Sequence, residues 1–287
     1  MNGLRISKRS YSQLVERCPA PGYDTGCTFC EIPKFPSDKP IDYAKNLNGT
    51  KVLPWKHALI FSHGFEDFNK MPSKIELVPG SLSGEINLLK KKLVSAYHPI
   101  MVSNAQSKYS EISDLQPNEQ LVYLYPDNKK IRFGLKDTKE FIKKYLRPSQ
   151  EEMSHQEPVY NPFAQPEPQL DLEEQQPANF SEIDIDKDLI LICGHLARDV
   201  RCGLMAPLLI EEFEKVLDKE ELTSKIDIGL VSHIGGHAYA GNVIYFPKDK
   251  SRKAIWYGRV FPQLVQGIVK ETIINGNIIK ELYRGDL

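Results

Sequence analysis

Long apolar runs are missing from this chain of 287 residues. None approaches the roughly 18 residues that cross a bilayer, so no membrane-spanning helix is expected. The apolar core of a secretory signal is also missing near the N-terminus. Without secretion, the glycosylation sequons at Asn48 and Asn179 carry no meaning. A surplus of charge is missing as well: 37 Lys and Arg stand against 38 Asp and Glu, a net charge of −1. That balance speaks against nucleic acid or an anionic membrane surface as a partner. Cysteine is scarce, with Cys18, Cys27, Cys30, Cys193 and Cys202 the five in the chain. An odd, clustered set does not suit a disulfide framework; in a reducing compartment it points to metal or redox chemistry.

What is present suits globular domains. Hydrophobic residues make up 41%, and 13 Tyr and 12 Phe supply core material. The length fits two domains of about 100 residues each. The first 17 residues carry Arg5, Lys8, Arg9 and Arg17 against Glu16, with Ser7, Ser10 and Ser12 among them. That is the composition of a mitochondrial presequence.

Residues 148–186 hold six prolines, ten acidic residues, no Lys, no Arg and no Gly. Such a stretch buries too little apolar surface to offset its ordering entropy, so it is expected to be an acidic, Pro-rich linker. Residues 1–50 form an N-terminal cysteine-containing segment, 51–147 one folded unit and 187–287 another.

The two units follow one order. In the first, His57–Ser62 is expected to be a strand, Ser83–Tyr97 a helix and Ile100–Ser103 a strand. Gln120–Tyr125 and Lys130–Phe133 make a hairpin, and Asp137 caps a helix to Leu146. In the second, Asp188–Ile192 is a strand, Leu204–Leu217 a helix and Ile226–Val231 a strand. Val243–Phe246 and Ala254–Tyr257 make a hairpin, and a helix starts at Pro262. Ser62 lines up with Cys193, and Asn104 with His233. The order β-α-β-β-β-α is that of a thioredoxin-like fold, so the expectation is an α/β protein of two thioredoxin-like units from an internal duplication.

Only the second unit carries a dense set of soft ligands. Cys193–Gly203 reads CGHLARDVRCG, and His233–Asn242 reads HIGGHAYAGN. Strand ends and the loops after them share one edge of a parallel β-α-β unit, so Cys193, Cys202, His233 and His237 can converge. Gly235, Gly236 and Gly241 argue against a helix at the second motif and for a loop wrapped around an inorganic centre. His195 is a competing ligand, kept as a support residue because it lies so close to Cys193. Arg198 and Arg201 fix the loop or shape an electropositive docking surface.

Two thiolates and two imidazoles suit zinc, but structural zinc sites use closer cysteine pairs. A 2Fe–2S cluster is wider and accepts two His in place of two Cys. An oxidised core near +2 is then balanced to about zero, which eases the addition of an electron and raises the potential. An imidazole whose second nitrogen meets solvent can couple that electron to a proton. The alternatives are a structural Cys2His2 zinc module for partner binding, or a thiol–disulfide oxidoreductase acting through Cys27 and Cys30 with Cys18 nearby. His63 beside Ser62 raises hydrolase chemistry, but no G-x-S-x-G elbow is present.

The two motifs and the two-unit layout resemble the sucrase/ferredoxin-like family. The resemblance implies a C-terminal thioredoxin-like ferredoxin domain with a 2Fe–2S cluster held by Cys193, Cys202, His233 and His237. It implies a role in redox balance or thiol quality control; the residues themselves favour an electron carrier over an enzyme, with a redox protein as its unidentified partner. Its location would be mitochondrial, with a cytosolic pool as the second site. The sucrase activity in the family's name finds no carboxylate pair to carry it here.

Overall fold

The structure, a computed structural model, describes residues 13–61, 68–107, 114–148 and 178–287. Its centre is a mixed sheet of ten strands in the order β12-β10-β9-β7-β8-β3-β2-β4-β5-β6. The first half is built from β2 (Lys56–Phe61), α1 (Leu82–Leu93), β3 (Ile100–Ser107), β4 (Glu119–Tyr125), β5 (Lys129–Gly134) and α2 (Thr138–Tyr145). After β6 (Ser181–Asp184), the second half holds β7 (Asp188–Cys193), α3 (Val200–Lys219), β8 (Ile226–Val231), β9 (Val243–Phe246), β10 (Ile255–Tyr257) and α4 (Val265–Ile268). The chain then runs through one π-helical turn (Val269–Ile274) to β11 (Ile278–Ile279) and β12 (Tyr283–Asp286). In both halves the first two strands are parallel and the next two antiparallel.

The halves join edge to edge. β3 pairs antiparallel with β8, setting Ala105 opposite Val231 and Ser107 opposite Gly229. Gly229 has to be small, because a Cβ there would lie 2.1 Å from the Gln106 carbonyl oxygen. The sheet continues across both units, and the last residues of the expected linker, Ser181–Asp184, extend it as β6 beside β5.

The strands of the first half are apolar on both faces because both are covered. Ala58, Ile60, Val122 and Leu124 pack with Ile86 of α1 and with Phe141 and Ile142 of α2. Leu59, Phe61, Leu121 and Tyr125 face the larger core shared with the second half. There Tyr125 stacks on Phe246 with ring centres 4.2 Å apart. On the far face of the second half, Met205, Leu209, Phe213 and Val216 of α3 cover the sheet.

Several element ends differ from expectation. β3 runs on to Ser107 because Asn104–Ser107 form the seam with β8. α1 stops at Leu93, and Ser81 caps its start by accepting from the Gly84 N–H. Asp137 closes a 3₁₀ turn before α2, and its side chain makes no cap hydrogen bond. α3 begins at Val200, one turn earlier than expected, because Asp199 caps it. Ser62, His63 and the basic residues up to Arg9 lie outside the described residues.

The N-terminal segment lies along the second half. β1 (Leu14–Val15) pairs parallel with β11, Asp42 N–H donates to the Ala238 carbonyl, and Gly49 N–H donates to the Arg284 carbonyl.

Candidate metal centre

Cys193 ends β7 and Cys202 lies in the first turn of α3, and both are buried. The early start of α3 brings them together. Asp199 accepts from the Arg201 N–H at 3.0 Å, which fixes that turn. The Cys193 thiol is held well below the ordinary cysteine range, chiefly by hydrogen bonding to Cys202, with His233 acting in the same direction. Cys202 is pushed the opposite way by the same contact and by its burial. The contact thus shifts the two thiols in opposite directions, Cys193 down and Cys202 up.

The histidine loop leaves β8 and returns to β9. His233 is half-buried and His237 exposed, and their ring centres are 5.4 Å apart. The Nδ1 of His233 is buried with no hydrogen-bond partner among the described residues. Burial lowers the pKa of His237, while Asp199 opposes that shift. Gly236 takes a left-handed backbone with φ of 75°.

His195 is placed as a support. Its Nε2 lies 3.0 Å from the Pro72 carbonyl, which can only accept, so that nitrogen carries the hydrogen. Its Nδ1 lies 3.2 Å from the His233 backbone N–H, which can only donate. Both nitrogens are committed to backbone, so the ring is neutral and has no lone pair left for a metal.

Arg201 is also a clasp rather than a docking group. It is buried, grips Asp199 through Nε at 2.9 Å and Nη2 at 3.0 Å, and donates to the Pro40 carbonyl. Arg198 alone of the two is exposed. With Lys90, Asn87 and Ser83 of α1 it lines a cleft of about 290 Å³ that reaches His195 and His233.

Sequence reasoning missed Arg284 and did not single out Asn242. Asn242 lies inside the quoted histidine motif; its carbonyl accepts from the Cys193 N–H at 3.0 Å and its amide donates to the Gly236 carbonyl at 2.9 Å. Arg284, on β12, donates to the Asn242 side chain at 2.6 Å and to the Gly235 carbonyl at 3.2 Å.

The N-terminal cysteines do not join this group. Cys18 lies against α4, donating to the Leu264 carbonyl at 3.3 Å. Cys27 packs on α3 near the Leu208 carbonyl, and Cys30 is its neighbour in the same loop. Burial pushes both Cys18 and Cys27 up to about 12.

Among the described residues, no group of three or more His, Cys, Asp or Glu side chains is arranged to hold one metal ion. The second half instead offers two pairs, one of thiols and one of imidazoles. The donor chemistry fits a group with two metal atoms: two buried sulfurs, one with its pKa lowered, beside an imidazole whose buried Nδ1 has no hydrogen-bond partner among the described residues.

The mixed α/β fold with one large sheet is consistent with a thioredoxin/ferredoxin-like fold. The sequence profile of the sucrase/ferredoxin-like family matches residues 47–285, and the chain belongs to that family. A protein of Debaryomyces hansenii is 55% identical over 99% of this chain and 100% of its own length. One of Clavispora lusitaniae is 52% identical over 96% of this chain and 97% of its own length. One of Meyerozyma guilliermondii is 51% identical over 97% of both chains. All three are called altered inheritance of mitochondria protein 32, a name that associates these relatives with mitochondria. Among the described residues no helix is long and apolar enough to cross a membrane.

Proposed function

We propose that the protein is a one-electron carrier whose second half holds a 2Fe–2S cluster through Cys193, Cys202, His233 and His237. The observation that carries this reading is the Cys193–Cys202 pair beside His233, whose buried Nδ1 has no hydrogen-bond partner among the described residues. When bound, such a cluster would supply a site that gains and loses single electrons.

The residues around it do the rest. Cys193 and Cys202 supply sulfur from rigid positions, one at a strand end and one in a capped helical turn. His195 fixes the His233 backbone. The exposed His237 meets solvent, where an imidazole can exchange a proton as the charge of the site changes. Lys90 and Arg198, together with Glu76, give the cleft beside His233 a mixed, polar lining open to a redox protein partner.

The pairwise grouping favours this reading over structural zinc. A binuclear centre asks for two protein ligands per iron, whereas tetrahedral zinc asks four side chains to meet at one point. The oxidoreductase reading through Cys27 and Cys30 is weakened by the buried, high-pKa thiol of Cys27. We also read the two halves as copies of one ancestral unit. Their matching strand order supports this, and only the second half carries thiols. The names of the relatives favour a mitochondrial setting and a part in redox balance there.

The test is electron–nuclear double resonance on the reduced full-length protein. We expect strongly coupled nitrogens from two imidazoles, with one set lost in His233→Cys and the other in His237→Cys. A wild-type spectrum without coupled nitrogen would refute histidine ligation.

A further inference from the structure

We propose that Arg284 is the positioning residue of this site, supplying the counter-charge of the Cys193–Cys202 pair and fixing the histidine loop. This rests on the cluster reading above. Arg284 is fully buried, yet every acceptor it meets is neutral. Nε donates to Thr50 Oγ1 at 3.2 Å and Nη2 to the Thr50 carbonyl at 2.9 Å. Nη1 donates to Asn242 Oδ1 at 2.6 Å and to the Gly235 carbonyl at 3.2 Å. Among the described residues no carboxylate pairs with it.

A buried cation without a counter-ion is costly, so something negative has to offset it. The groups that draw on its charge are Cys193, Tyr239 and Cys202. Burial pulls the guanidinium down to about 10, still high enough to keep it charged at neutral pH. With a cluster bound, its two thiolates would lie in the field of this fixed positive charge.

The same side chain sets the loop's shape. A Cβ on Gly236 would lie 2.3 Å from Nη2, so the guanidinium packs flat on the loop backbone between His233 and His237. Asn242 links it to Cys193, whose N–H donates to the Asn242 carbonyl at 3.0 Å. Thr50 links it to the N-terminal segment. One side chain thus ties together the cysteine strand, the histidine loop and Thr50 at the end of the N-terminal segment.

A fixed positive charge eases addition of an electron, and its removal makes reduction harder. The experiment is a redox titration of full-length protein, followed by visible absorbance, for wild type, Arg284→Gln, Arg284→Lys and Asn242→Asp. We expect Arg284→Gln to raise the oxidised-to-reduced ratio at a fixed solution potential by about tenfold or more. Arg284→Lys, which keeps the charge, should recover most of that loss. Asn242→Asp leaves the arginine in place but sets a carboxylate against it, and should also favour the oxidised form. That variant decides the matter if Arg284→Gln does not fold. Wild-type behaviour in Asn242→Asp or Arg284→Gln, or an Arg284→Lys shift as large as that of Arg284→Gln, would overturn the assignment. A wild-type protein with no absorbing centre would overturn the function reading itself, and this role with it.

Discussion

Cys193 and Cys202 sit together, and their surroundings shift the two thiols in opposite directions. Hydrogen bonding to Cys202, with His233 acting alike, lowers the Cys193 thiol, while the contact with Cys193 and burial raise that of Cys202. A site built from one such pair and two neutral imidazoles carries less negative charge than one built from four thiolates. Replacing either His233 or His237 by Cys adds a negative ligand, so we expect the midpoint potential to fall by on the order of 100 mV. A redox titration that shows an unchanged or raised potential would contradict the ligand assignment. At this scale the sequence is informative where residues cluster. CGHLARDVRCG and HIGGHAYAGN mark themselves by soft ligands among glycines. Arg284 does not, because a single Arg in Tyr283-Arg284-Gly285 has no spacing to reveal it; only its burial beside Gly236 does. His195 is separable from the ligands only once both ring nitrogens are seen to meet backbone.

Elements that carry no ligand still constrain the chemistry. The N-terminal loop docks on α3 by giving the fully buried Glu212 two hydroxyl donors, Thr25 and Thr28. That clasp buries Cys27. With its pKa raised from 9.0 to about 12, the thiolate fraction at pH 8 falls about a thousandfold. We therefore expect iodoacetamide to modify Cys27 about a thousand times more slowly in native protein than after unfolding, read by peptide mass spectrometry. Reaction at the unfolded rate would restore the thiol-exchange reading. Helix and strand ends show where local sequence runs out. Asp199 is a usable cap signal for α3, but the apolar period starts only at Leu204, so the turn that holds Cys202 reads as loop. β3 is legible as far as Ser103; the polar Asn104–Ser107 extends it only because β8 supplies partners from more than 120 residues away.

The two halves share one ten-stranded sheet rather than standing as two units on a string, and that is the least legible feature. Edge pairing between β3 and β8 leaves little local trace except a glycine, Gly229, inside a strand. The acidic, Pro-rich character of residues 148–186 speaks for a linker, yet its final residues return to the sheet as β6. Where the halves face each other, His57 is fully buried, 3.0 Å from Ser103 Oγ and beside the rings of Phe246 and Trp256. Burial holds its pKa near 3, against an ordinary value of 6.5. The unfolded chain therefore binds a proton at His57 that the folded chain refuses. That stabilisation is complete above pH 6.5 and is lost as pH falls toward 3, by up to about 1.4 kcal/mol per pH unit. We expect His57→Gln to flatten the decline in urea-unfolding stability between pH 6.5 and 5; an unchanged slope would show that another group causes it.

The central claim concerns what the second half holds. Full-length protein purified without oxygen should be assayed for iron, zinc and acid-labile sulfide beside a visible spectrum. The account expects about two irons and two sulfides per chain, with visible absorption bands that Cys193→Ser removes. One zinc per chain in a colourless protein would contradict it and move the site to a structural role.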